Sequence, residues 1–296
     1  MSYLVIDIGG TALKYARMDR EEHFLSHGSI PTPQTGREDL IEAIGRLYDE
    51  IPDCEGIAIS MPGIIDTETG LVLMGGALKY NNGFHIRDAI AKRCPVPVYV
   101  ENDAKCAALA EAAEGSLKDV SNGMVLIFGT MIGGALIHDH QLYRGSHFSA
   151  GEISYVITDR SGVPTFEGVW GNRCSALALC KMYAEKKGLP LEAVDGRKVF
   201  QAVSEGDEDA VSALRDFTYE IAVQIFNFQN LYDPERFAIG GGISAQIVFI
   251  ESIREHLKTL YEICPYYVRR AEIVPCAFRN DANLLGAFQC FIQNQG

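Results

Sequence analysis

The chain has 296 residues, 47% of them hydrophobic and 22% charged, with 39 Asp and Glu against 26 Lys and Arg and a formal net charge of −13. That balance excludes a nucleic-acid-binding surface, which needs clustered Lys and Arg, and the apolar fraction excludes a disordered chain. The length predicts two domains of comparable size.

Tyr3 to Ile8 reads as a strand ended by Gly9-Gly10-Thr11, and Ala12 to Arg17 as a second strand, so the pair forms a glycine-turned hairpin. Arg37 to Ile51 carries Leu40, Ile41, Ile44 and Leu47 at helical spacing, and Ile57 to Met61 follows as a buried strand stopped by Pro62-Gly63. Val96 to Val100 is a further strand closed by Glu101-Asn102-Asp103, and alanine-rich Ala104 to Glu114 predicts a helix. From Gly123 the plan starts again with Val125 to Phe128, Gly129-Thr130, then Gly133-Gly134 in a strand through Ile137. This recurrence predicts an internal duplication: two related α/β domains with a cleft between them. Helices are expected at Ser175 to Lys187, Arg197 to Ser204 and Asp209 to Tyr232, and a strand from Phe237 to Ile239 runs into Gly240-Gly241-Gly242. The predicted lobes are 1–117 and 118–280, with an apolar-periodic helix, Asp281 to Gln293 within the tail 281–296, docking back on the first.

The eight cysteines, from Cys54 to Cys290, form no C-x-x-C pair, and the N-terminus lacks a basic region followed by a cleavable apolar stretch. Reduced thiols in a cytoplasm are the expectation. The apolar stretch Gly123 to Ile137 is too short for a bilayer span and is interrupted by Gly129, Gly133 and Gly134, so no membrane segment is expected.

Two glycine-rich turns, each with a hydroxyl residue, can point backbone N–H groups at phosphate oxygens; taken singly, each is equally a tight hairpin. Neither fits G-x-x-x-x-G-K-[ST], and no G-x-G-x-x-G opens a helix after a strand, so the P-loop and Rossmann fingerprints are absent. Asp7, at a strand end beside the first turn, is placed to hold hydrated Mg2+. Lys14 either neutralises phosphate or is a solvated strand lysine. Asp103, between strand and helix, either faces the cleft or caps the helix, and the positive helix end stabilises its charge in both cases. His138 and His140, flanking Asp139, read as exposed hairpin-turn residues rather than metal ligands.

Val5-Ile6-Asp7-Ile8-Gly9-Gly10-Thr11, Ile59-Ser60-Met61-Pro62-Gly63-Ile64-Ile65-Asp66, Glu101-Asn102-Asp103-Ala104, Gly129-Thr130-Met131-Ile132-Gly133-Gly134, Ala150-Gly151-Glu152-Ile153 and Ile239-Gly240-Gly241-Gly242-Ile243 resemble the ordered motifs of the ROK sugar kinases. The resemblance spans almost the whole chain. It implies an α/β fold of two duplicated ribonuclease H-like lobes, the actin, hexokinase and Hsp70-like ATPase fold, and ATP-dependent phosphorylation of a hexose hydroxyl, usually that on C6. Asp103 would accept the hydroxyl proton, with Asn102, Glu152, Pro62 and Gly63 at the sugar. Asp7 would carry Mg2+ through water. Gly9, Gly10, Thr11, Lys14, Gly129, Thr130 and Gly133 would hold the phosphates, and Gly240, Gly241 and Gly242 would pass near the adenosine. The resemblance also implies a homodimer, and the two-lobed plan predicts domain closure over bound sugar.

The departures concern zinc and the sugar pocket. Family members continue Gly-Glu-Ile with Gly-His and then carry a C-x-C-G-x-x-G-C-x-E segment, where this chain has Ser154-Tyr155, Cys174 alone between Phe166 and Ser175, and Gly171 about where the second sugar glutamate would stand. No zinc is expected, and Tyr155 is expected to be buried in the vacated space, with contact to the sugar through its hydroxyl as the alternative. Loss of His and Glu at the anomeric side is compatible with a C1-substituted sugar such as a β-glucoside. Met131 replaces the family glycine in the second turn, narrowing the approach to nucleotide unless it points into the core. The alternative, a non-catalytic sugar-binding regulator, would lack the family's DNA-binding domain, because the phosphate-turn strand begins at Tyr3; the presence of both Asp7 and Asp103 speaks against it.

Overall fold

The computed structural model describes residues 2–159, 165–263, 270–278 and 281–294. Strands β1 (Ser2–Ile8), β2 (Ala12–Met18) and β3 (Phe24–Pro31) precede helix α1 (Arg37–Asp49). Strands β4 (Cys54–Met61), β5 (Ile64–Asp66), β6 (Leu71–Met74) and β7 (Phe84–His85) lead to α2 (Ile86–Arg93), β8 (Val98–Asn102) and α3 (Asp103–Ala113). There follow β9 (Gly123–Phe128), β10 (Ile132–His138), β11 (Gln141–Tyr143), the short α4 (Trp170–Arg173), α5 (Ala176–Lys187), α6 (Gly196–Ser204) and α7 (Glu208–Tyr232). The last elements are β12 (Arg236–Gly240), α8 (Ile247–Glu262), β13 (Glu272–Pro275) and α9 (Ala282–Gln293).

The chain forms two compact units: Met1–Ala113 with Leu142–Ala150 and Asn280–Gly296, and Glu114–Gln141 with Gly151–Arg279. The first unit thus takes in α9 and also a short excursion, residues 142–150, that the predicted boundaries do not contain.

In the first unit the sheet order is β3-β2-β1-β4-β8, with β1 antiparallel to β2 and parallel to β4. The central strand β1 is buried along its whole length, because helices cover both faces of the sheet. Its alternation sorts the two cores: Leu4, Ile6 and Ile8 join Leu40 and Ile44 of α1 and Ile86 and Ile90 of α2, whereas Tyr3 and Val5 join Leu284, Phe288 and Phe291 of α9. Helices α3 and α9 cross closely because Gly286 has no side chain; a Cβ there would lie 1.7 Å from the Cys106 carbonyl oxygen. A small sheet, β5-β6-β7, follows the end of β4.

The second unit repeats this topology in the order β11-β10-β9-β12-β13, with β9 antiparallel to β10 and parallel to β12. Its core packs Phe217, Ile221 and Ile225 of α7 with Phe128, Trp170 and Phe249, whose rings meet edge to face. Helices α5, α6 and α7 begin at Ser175, Asp195 and Asp207, whose side chains accept from the backbone N–H three residues on.

The hairpins and helices expected from the sequence are present within a residue or two. Strand β8 differs: it starts at Val98 and carries Glu101 and Asn102 in the sheet, with Asp103 opening α3. Strands β3, β5, β6, β7 and β13 and helices α2 and α8 have no counterpart in the pattern reading. Asp139 and His140 occupy the β10–β11 turn with φ of 49° and 62°. Among the described residues no helix is long and apolar enough to cross a membrane, and the seven described cysteines are free thiols; Cys264 lies outside the described residues.

Candidate active site

Three parallel strands of the first unit end side by side, and their register places Asp7, Ser60 and Glu101 in one row across β1, β4 and β8. The carboxyl ends of neighbouring parallel strands are where α/β sheets present ligand groups. Asp7 is 8% exposed, and its Oδ1 accepts from Ser60 Oγ at 2.8 Å and Asn283 Nδ2 at 3.0 Å. Two donors on one oxygen fix the carboxylate's orientation at the mouth of the Gly9-Gly10-Thr11 turn. Lys14 stands opposite Asp7 in the β1–β2 register.

The turn itself is held from its carbonyl side. Gly9 N–H donates to the Ala12 oxygen at 2.9 Å, and a Cβ on Gly9 would approach that oxygen equally closely. Thr32 Oγ1 donates to Gly9 O at 2.7 Å and Gln34 Nε2 to Gly10 O at 2.8 Å. Thr11, at the tip, is exposed.

The next ends are Pro62-Gly63 after β4 and Asn102-Asp103 after β8. Gly63 has φ +111°, and a Cβ would sit 1.9 Å from Met74 O, so no other residue fits. Its carbonyl accepts from Asn102 Nδ2 at 2.9 Å, and the same amide donates to Asp103 Oδ1 at 3.0 Å. Asn102 Oδ1 accepts from Lys105 N–H at 3.1 Å. The cap of α3 is therefore Asn102, not Asp103, which instead sits in the first helical turn with Oδ1 accepting from Ala104 N–H at 2.8 Å. Glu101, 1% exposed, accepts from Asn102 N–H at 2.8 Å and from Arg144 Nε at 2.7 Å.

In the second unit, Gly129 ends β9, and its N–H donates to Met131 O and its carbonyl accepts from Ala176 N–H, both at 3.0 Å, so the turn is tied to the start of α5. Thr130 is exposed at its tip. Met131 is half-buried, and its terminal methyl lies against Gly171, where an added Cβ would be 2.7 Å from it. Gly133 continues into β10 opposite Ile127. Gly134 and Gly151 meet backbone to backbone: a Cβ on the first would come within 2.6 Å of Gly151 O, and on the second within 2.5 Å of Gly134 O. This contact pins the segment carrying Glu152 against β10.

Gly240 ends β12, and Gly241, with φ +90°, passes so near Phe128 that a Cβ would lie 2.1 Å from its carbonyl oxygen. Gly242, Ile243 and Gln246 line a cavity of about 390 Å³ with Asp195, Arg197 and Phe200 from the start of α6. The structure thus gathers Asp7, Gly9, Gly10, Thr11, Gly63, Asn102 and Asp103 in one unit, and Gly129, Thr130, Glu152 and Gly240 to Gly242 in the other.

Tyr155 corrects one expectation: it is 44% exposed rather than buried, with its ring 6.4 Å from that of the more exposed Phe166. Among the described residues no group of three or more His, Cys, Asp or Glu could hold a metal ion. Sequence reasoning missed Ser60, Asn283, Thr32, Gln34, Glu101 and Arg144. Ser60 and Glu101 lie inside quoted motifs, but their partners are 53 and 43 positions away along the chain.

The ROK family profile matches residues 3–294. The chain belongs to the ROK family. It is 35% identical over 294 residues to the β-glucoside kinase of Klebsiella pneumoniae, covering 99% of this chain and 97% of that one. A ROK family protein from Streptococcus pneumoniae, solved in complex with sucrose, is 31% identical with a TM-score of 0.89 over 100% of this chain and 99% of its own. The ROK glucokinase of Streptomyces griseus, solved with glucose and AMPPNP, shares the fold at 24% identity, with a TM-score of 0.85 over 99% and 100% of the two chains. The architecture is the actin and hexokinase-like fold of this family.

Proposed function

We propose that this ROK protein phosphorylates β-glucosides at the C6 hydroxyl, with Asp103 as the general base and ATP as the phosphoryl donor. The chain is an ATP-dependent sugar kinase; the choice of glycoside and the residue roles are our reading. The observation that carries it is the Asn102–Asp103 pair at the end of β8, in the same row of strand ends as Asp7 and the Gly9-Gly10-Thr11 turn.

A sugar hydroxyl becomes a nucleophile toward the terminal phosphorus as its proton passes to a carboxylate. Asp103 Oδ1 accepts from Asn102 and Ala104, which orients the group for that transfer. Both amide hydrogens of Asn102 are spent on Gly63 O and Asp103, so a ring hydroxyl would donate to the second lone pair of its Oδ1. Pro62 and Gly63 form the adjoining wall, and Glu152 supplies a further sugar contact.

The phosphates are assigned to the backbone of Gly9, Gly10, Thr11, Gly129, Thr130 and Gly133, with Lys14 contributing charge, and the adenosine to the cavity beside Gly240, Gly241 and Gly242. That cavity is large enough to admit a nucleoside and offers the Phe200 ring and the Arg197 side chain. Asp7, oriented by Ser60 and Asn283, would carry hydrated Mg2+, which neutralises phosphate charge when bound. A homodimer in a reducing cytoplasm completes the proposal.

Two features support a β-glucoside. The positions of the family histidine and second sugar glutamate hold Tyr155 and Gly171, so a free anomeric hydroxyl meets neither partner. A site that does hydrogen-bond a hydroxyl discriminates strongly against sugars lacking it, and at these two positions this chain has a tyrosine and a glycine in place of the histidine and glutamate. The Klebsiella relative is itself a β-glucoside kinase. Initial rates of ADP release with methyl β-glucoside, phenyl β-glucoside, glucose and N-acetylglucosamine test the assignment. The β-glucosides should exceed glucose in kcat/KM by about tenfold or more, the worth of a pocket contact; glucose as the better substrate would remove it.

A further inference from the structure

The first unit contains a buried polar chain that the kinase reading leaves unused. Residues 142–150 enter this unit as a short excursion, closed on itself by a hydrogen bond from Ala150 N–H to Arg144 O at 3.1 Å. From it the Arg144 guanidinium reaches back to β8, where Nε donates to Glu101 Oε2 at 2.7 Å and an Nη donates to the Tyr99 hydroxyl at 3.3 Å. Glu101 is 1% exposed and Arg144 27%.

A carboxylate this deeply buried is tolerable only with a cation and hydrogen bonds around it. Glu101 divides its two oxygens between different tasks. Oε2 takes the guanidinium, while Oε1 takes the backbone N–H of Asn102. The carboxylate is therefore a rigid bracket between Arg144 and the main chain of Asn102, the residue whose side chain caps α3, holds the Gly63 carbonyl and donates to Asp103. Beside it in the sheet register stands Ser60, which anchors Asp7.

We propose that Arg144 is a positioning residue for phosphoryl transfer: through Glu101 it fixes the backbone of Asn102, and with it the sugar-facing amide and the carboxylate of Asp103. The inference rests on the reading of Asp103 as base and Asn102 as sugar contact. Arg144 touches neither substrate on this account; its planar fork satisfies Glu101 and Tyr99 from one side, a geometry an ammonium reproduces only in part.

The test compares Arg144→Gln, Arg144→Lys, Glu101→Gln and the double Arg144→Gln/Glu101→Gln variant with the parent, using methyl β-glucoside and ATP. Arg144→Gln leaves a buried carboxylate uncompensated, so kcat should fall by about 10- to 100-fold, as for a small misplacement of reacting groups, and the sugar KM should rise. The KM for ATP should stay within about twofold, since the phosphate turns do not depend on this bracket. Arg144→Lys should recover part of the loss, and the double variant should outperform Arg144→Gln because a neutral pair replaces an unpaired charge.

Parent-like kcat and sugar KM in Arg144→Gln would overturn the proposal. So would equal losses in both KM values with no rescue by lysine or by the double change, the behaviour of a merely structural residue. If Arg144→Gln does not fold, Arg144→Lys against Glu101→Gln carries the same KM and kcat comparison. Calorimetric titration of methyl β-glucoside into Asp103→Asn and Asp103→Asn/Arg144→Gln separates the two readings. Weaker binding in the second supports Arg144 even if Asp103 is not the base, and equal binding removes Arg144 whatever Asp103 does.

Discussion

The terminal methyl of Met131 lies where a side chain at Gly171 would have to go: a Cβ on Gly171 would be 2.7 Å from Met131 Cε and 2.7 Å from Ser154 Oγ. Met131 and Gly171 are thus packed directly against each other in the second unit. Met131 does not project across the turn; it fills the space that glycine leaves. Ser154 closes the arrangement, since its hydroxyl bonds both the carbonyl and, at 3.1 Å, the N–H of Ile132.

Gly171→Ala is therefore expected to destabilise the protein by about 1–3 kcal/mol, the usual cost of overpacking. Met131→Ala in the same chain should recover part of that loss, because the flexible methyl is one of the two obstacles. Urea unfolding of the four members of the cycle measures it. Additive effects would mean that the two positions are independent.

Gly63→Ala meets backbone rather than a flexible tip, with its Cβ 1.9 Å from Met74 O at a φ of +111°. Strain and overlap together should cost about 3 kcal/mol or more. Because the Gly63 carbonyl accepts from Asn102, any folded fraction should show a raised sugar KM in steady-state assays. Gly83→Ala is the control, since it shares a positive φ of 66° but its Cβ meets nothing within 4 Å. Equal behaviour of the two variants would count against the role given to the Gly63 carbonyl.

Arg93 of α2 donates to Asp49 at 2.6 Å and to Glu42 at 3.0 Å, both on α1. Its hydrogen bonds, and secondarily its charge, hold both carboxyls below their ordinary values of 3.8 and 4.5. Groups with depressed folded-state values contribute stability above their unfolded values and lose it as pH falls through the folded ones. The stability gap between parent and Arg93→Gln should thus be full at neutral pH and close as pH falls below about 4. Added salt should narrow it, because the pair is solvent-exposed. Urea unfolding across pH checks this; a gap independent of pH would assign Arg93 to packing over Gly45 alone.

How much was legible in the sequence follows from where each interaction lies along the chain. The hairpins around Gly9 and Gly129 are local, since glycine, hydroxyl and alternating strands announce themselves within about fifteen residues. The duplication was legible for the same reason, and the common strand order confirms it. Strand β3 was not, because it is a mostly exposed edge with Gly28 under the Tyr15 ring, so it lacks an apolar alternation. Helix α8 was missed because it follows the glycine triplet with no side-chain cap at its start. The Asp7 anchors were out of reach altogether, since Ser60 and Asn283 are 53 and 276 positions distant and only the folded sheet brings them together. Tyr155 failed for a different reason: a vacated polar site does not say whether its replacement turns inward or stays at the surface.

The most direct test of the whole account is Asp103→Asn. Asparagine keeps an oxygen to accept from Asn102 and Ala104 but cannot take a proton at neutral pH, so shape is conserved and basicity is lost. With ATP and methyl β-glucoside, kcat should fall by about 10²- to 10⁴-fold while calorimetric affinity for the sugar stays within a few-fold of the parent. A variant that turns over at the parent rate would contradict the assignment of Asp103 as the base.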